Sequence, residues 1–139
     1  MLIDVLDKKS LIGFMQSVLN NERKEPDMRD SAFACHYLIK VGEIETVRKF
    51  IENTTGKIGT GISKCMDMAY WLWIVGDYFG VTGNFDEKAD MRAISCCLDS
   101  IKTGWDQSHS HWLESSISGV FTSNVAIMYK AVSGINAFL

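Results

Sequence analysis

Apolar positions recur at helical spacing along nearly the whole chain, and one stretch departs from that spacing. From Cys65 to Gly83 the sequence reads CMDMAYWLWIVGDYFGVTG, and its apolar residues fall on every side of a helical wheel. That is the pattern of a helix buried all round. Tyr70, Trp71, Trp73, Tyr78 and Phe79 concentrate its bulk, and two acids, Asp67 and Asp77, interrupt it. The other helices are one-sided. Leu11, Phe14, Met15, Val18 and Leu19 follow the i, i+3, i+4, i+7, i+8 rule behind Ser10, a candidate cap. The polar run Asn20 to Pro26 ends that helix. A second helix is expected from about Asp30 to Val41, with Phe33, Tyr37 and Leu38 on one face. Gly42 breaks the pattern, and Glu43 to about Asn53 forms a third with Ile44, Val47, Phe50 and Ile51 inward. Two helices joined at one glycine make an αα-hairpin.

Thr54 to Ser63 contains Gly56, Gly59 and Gly61 and reads as a loop before the central helix. Thr82-Gly83-Asn84 reads as a turn. Asn84 or Asp86 then caps a fifth helix with Ile94, Cys97, Leu98 and Ile101 inward, closed by Gly104. Trp105 to Gly119 reads as irregular, and Thr122 or Ser123 caps a last helix carrying Val125, Met128, Tyr129, Val132 and Ile135. The sum is six helices in about three hairpins, an all-α single domain over residues 1–139.

Composition changes that picture little. The chain has 139 residues, 47% hydrophobic and 22% charged, which is ordinary globular material. A chain of this length buries about two-thirds of its unfolded surface, enough for a core without staples. Net charge is −3 with no basic block, which argues against a nucleic-acid surface. The uncharged run Met68 to Gly76 falls far short of the ~20 residues of a membrane span. The opening MLIDVLDKKS has charges where a signal peptide is apolar. The expectation is a soluble, cytoplasmic protein with no membrane partner. Cys35, Cys65, Cys96 and Cys97 form no CxxC pair and read as buried free thiols.

Four short motifs carry candidate chemistry. Asp27-Met28-Arg29-Asp30 opens the second helix, and Met66-Asp67 heads the central one. Tyr78 leads into Thr82-Gly83-Asn84, and Trp112-Leu113-Glu114 precedes Phe121-Thr122-Ser123. In this order they resemble the glucoamylase-type glycoside hydrolases, the family that includes some trehalases. The resemblance departs at Asp27 and Met28, where the family carries tryptophan and proline, and at Leu113, which separates Trp112 from Glu114. It implies a partial (α/α)6 toroid and an α-glucoside ligand, a maltooligosaccharide or trehalose. Arg29 and Asp30 would fix the terminal sugar, Asp67 would face it, and Trp71 or Trp112 would stack on it. Glu114 would be the general acid of an inverting hydrolysis. No metal or organic cofactor is implied.

Such hydrolysis needs a second carboxylate, held roughly 6.5–9.5 Å from the acid so that water fits between. Ser115 to Leu139 contains no Asp or Glu, so a base must come from earlier in the chain or from another subunit. A catalytically silent helical interaction module, or a relic half-toroid, needs no such base. A half-toroid leaves one side of its inner helices uncovered, so a homo-oligomer is expected under either reading. Other readings stay local. Arg29-Asp30 also suits a helix cap, Asp67 suits the first-turn dipole, and His109 and His111 read as solvated loop residues without a third metal ligand.

Overall fold

The computed structural model describes residues 7–20, 27–83, 87–106, 108–109, 118–119 and 121–138. Six helices form among them: α1 (Lys8–Leu19), α2 (Met28–Lys40), α3 (Ile44–Thr55), α4 (Cys65–Thr82), α5 (Glu87–Gly104) and α6 (Thr122–Asn136). The all-α class expected from the periodicity is the class observed. Two caps fall three residues earlier than the sequence suggested. Asp7, not Ser10, caps α1, and its carboxylate accepts the Ser10 N–H at 2.6 Å. Asp27 caps α2 by accepting the Asp30 N–H at 3.0 Å. In both, a carboxylate satisfies a backbone donor that the first turn leaves without a partner. At α6 the cap residue is Phe121, and neither Thr122 nor Ser123 fills that role. Asn84 and Asp86 lie outside the described residues.

The ends of α2 and α4 follow their glycines. Gly42 (φ 86°) turns the chain into α3, and Gly83 (φ 67°) takes the left-handed position that closes α4. The expected loop before α4 is tightly built: Ile58 and Ile62 bridge and are both buried. In the segment expected to be irregular, β1 (Ser108–His109) pairs antiparallel with β2 (Ser118–Gly119), and β1 rests against α4.

Helices α2, α4 and α6 lie side by side with α4 in the middle. All three run parallel. Phe33 meets Trp73 and His36 meets Asp77 across α2 and α4, while Gly76 meets Gly134 and Phe79 meets Phe138 across α4 and α6. A second row, α1, α3 and α5, backs the first, with α3 touching α2, α4 and α5. Helix α4 is therefore covered on several sides, and Met68 to Gly76 is buried without interruption.

Trp71 is fully buried; its Nε1–H donates to Thr54 Oγ1 at 2.9 Å, and that hydroxyl donates to the Phe50 carbonyl at 2.8 Å. Such a chain satisfies each buried polar group in turn. Glycine sets the approach of α6. A Cβ at Gly76 would stand 3.4 Å from the Gly134 carbonyl carbon, so the two backbones lie in near contact. No described helix is long and apolar enough to cross a membrane.

Candidate functional site

The seam between α2 and α4 gathers most of the expected ligand residues at one end. Parallel packing sets their first turns side by side, so residues 38 positions apart in sequence become neighbours. Arg29 Nε lies 3.5 Å from Asp30 Oδ1, and Arg29, Asp67 and Asp27 all act on the Tyr70 hydroxyl. Burial pushes the Tyr70 phenol up first of all; Arg29 pulls it down, and Asp67 and Asp27 raise it further. Arg29, Asp30 and Asp67 thus share one end of the seam.

Trp71 does not join them. It was expected to offer a stacking face, but it points into the core with its ring fully covered and its N–H committed to Thr54. A sugar cannot reach it in this fold, because its side of α4 is the side that α3 covers. Trp112 and Glu114 lie outside the described residues.

Further along the same seam is a cluster the sequence reading did not assemble. His36 and Asp77 are joined at 2.9 Å from Nδ1 to Oδ2, both partly exposed. Trp73 lies beneath, its ring 5.5 Å from Phe33 at right angles and 5.5 Å from His36. The Trp73 Nε1–H is buried without a hydrogen-bond partner among the described residues, as is Ser31 Oγ. Cys35 is buried beside this cluster. Desolvation, and secondly the charge of Asp77, hold its thiol far above the usual range. The arrangement ties α2 to α4 and leaves one edge of the imidazole toward solvent. The signal available was modest: Trp73 and Asp77 at i, i+4 on one helix, Phe33 and His36 at i, i+3 on another. Among the described residues no three His, Cys, Asp or Glu side chains group to hold a metal.

The third feature is the outer face of α6. Asn124, Met128, Ala131 and Ile135 are buried against the rest of the protein, yet the apolar arc of α6 extends past them. Val125 is 38% exposed, Tyr129 75% and Val132 36%, one line at i, i+4, i+7.

Fold and surface together define an all-α protein in which the six helices of the described residues form two rows, and α6, at the end of one row, exposes Val125, Tyr129 and Val132. No family model, no curated protein and no solved structure matches the chain.

Proposed function

We propose that this protein is a catalytically silent helical interaction module that receives a helical partner along the outer face of α6. The observation that carries the reading is the line Val125, Tyr129 and Val132, apolar and solvent-facing at the spacing of a single helix face. A contiguous exposed apolar strip of this kind marks an interaction surface, and i, i+4, i+7 anchors suit a helix laid alongside. The rows of helices supply a rigid backing, in the manner of a partial toroid whose inner helices are α2, α4 and α6.

A second reading rests on the meeting of Arg29, Asp67 and Tyr70 at one end of the α2–α4 seam. In it the protein recognises an α-glucoside such as a maltooligosaccharide or trehalose. Arg29, Asp30 and Asp67 hold the sugar, Trp112 stacks on it, and Glu114 acts as acid if the bond is cleaved.

One pair of assays separates the two. Selection of amphipathic helical peptides against the protein should recover binders that fail on Tyr129→Glu, while maltotriose and trehalose release no glucose. Recovery of binders indifferent to Tyr129 would overturn the first reading. Glucose release that vanishes in Glu114→Gln would establish the second.

A further inference from the structure

We propose that α1 is a detachable cover, a helix that opens as one unit from α2 and α3 while the other five helices stay folded. Burial sets it apart. Each of α2 to α6 carries residues buried in the core, among them Leu38, Val47, Trp71, Ile94 and Ile135. None of the twelve residues of α1 is buried. Ile12, Met15 and Leu19 lie half-buried against the core, while Phe14 is 61% exposed. Among the described residues one side-chain hydrogen bond ties α1 to its neighbours, from Gln16 Nε2 to Thr46 Oγ1 at 3.2 Å. A segment with so few buried contacts opens at far lower free energy than the core.

The helix is also weak in itself. Gly13 stands near its centre, exposed, where glycine lowers the helical equilibrium about fivefold relative to alanine. Close packing accounts for Gly76, which lies against the Gly134 backbone. At Gly13 a Cβ would meet nothing within 4 Å, and its φ is not positive, so neither packing nor backbone geometry calls for glycine there. A helix of this length is marginal in water even when built from good helix formers. Undocking and unwinding are therefore one event for α1.

The helices beneath do not depend on it for their own ties. The Trp71 indole donates to Thr54 between α4 and α3, and His36 meets Asp77 between α2 and α4. The α1 cap is equally separate, since the Asp7 carboxylate binds the Ser10 N–H of the same helix. Opening thus bares the face of α2 and α3 that α1 occupies and leaves the rest in place. The occupant of that face is α1 itself.

The test is hydrogen exchange of the full chain, resolved along α1 and α4, with circular dichroism to confirm that each variant folds. In the wild type, amides from Ile12 to Leu19 should share one opening equilibrium. They should exchange about a hundredfold or more faster than those of Leu72 to Val75, after correction for local sequence. Gly13→Ala should slow exchange throughout α1 about fivefold. Ile94→Val, at a fully buried site on α5, should speed exchange in α4 about fivefold and leave α1 unchanged, because the open form keeps that core. Exchange of α1 at the α4 rate would overturn the proposal, as would equal acceleration of both by Ile94→Val, since α1 would then open only with the whole protein. So would a gradient of rates rising toward one end of α1, the mark of fraying, or wild-type exchange in Gly13→Ala.

Discussion

Helices α4 and α6 lie in parallel contact, both rich in apolar residues, yet they end in opposite circumstances. Helix α4 is apolar on every side and has neighbours on nearly every side: α2, α3, α5 and α6 all pack on it. Helix α6 is apolar over a wide arc, and its main neighbour, α4, covers only part of that arc. Equivalent side chains therefore carry different consequences. Trp71 in α4 is a core residue with a satisfied N–H, whereas Tyr129 in α6 projects its ring into solvent. An apolar face becomes core or interface according to what the tertiary structure places beside it.

The sharpest way to break that contrast is to truncate the buried ring. Trp71→Ala should destabilise the fold by about 3–5 kcal/mol, because it opens a cavity and removes the hydrogen bond that Thr54 Oγ1 accepts from the indole. Chemical denaturation would measure it, and a loss below 1 kcal/mol would show that α3 does not cover this side of α4 (a cost of that size fits a surface residue).

Raised pH probes the helices that cover α4. Burial pushes the thiols of Cys35 on α2 and Cys97 on α5 above the ordinary value of 9.0. In the unfolded chain these thiols ionise near 9, while the folded protein keeps them neutral. Their contribution is therefore fully present below pH 9 and is lost as pH rises above it. The loss is about 1 kcal/mol per thiol between pH 9 and pH 10. Urea melts on either side of this range should show the decline, and Cys35→Ala with Cys97→Ala should flatten it.

The glycine contact gives a smaller effect. Gly76→Leu should cost about 1–3 kcal/mol by forcing α6 away from α4, read as a lower melting temperature. Gly76→Ala should be tolerated, since its Cβ would make ordinary van der Waals contact with the Gly134 backbone. The least effect is expected at the exposed ring. Tyr129→Ser should change monomer stability by no more than about 0.5 kcal/mol, measured in dilute protein, while weakening association.

Much of the architecture was legible from the chain. The central helix could be placed because apolar residues on every side of a wheel permit only burial. Gly42, Gly83 and Gly104 marked helix ends because backbone conformation or helix termination there is local. Helix starts were less legible at Ser10 and Asp30, where the cap is Asp7 or Asp27. Which of several nearby side chains caps a helix depends on where the backbone first curls, and propensity alone leaves that open by a few residues.

The candidate site was legible only in part. Arg29, Asp30 and Asp67 do come to one end of a seam, since each opens a helix and the two helices are parallel. Trp71 was misread because a helix apolar all round gives no sign of which aromatic faces a neighbour and which faces a ligand. His36 and Asp77 stand 41 residues apart, and only the register of α2 on α4 joins them.

The sequence by itself determined that this chain is helical, where its helices run, and which one lies at the centre. Those properties follow from periodicity and from glycine, which act over a few residues. Tertiary structure alone decided that α2, α4 and α6 run parallel, that His36 meets Asp77, and that Val125, Tyr129 and Val132 on α6 are exposed. Each of these depends on which surfaces are brought together, and burial is a property of a pair of surfaces that neither strand of sequence carries alone.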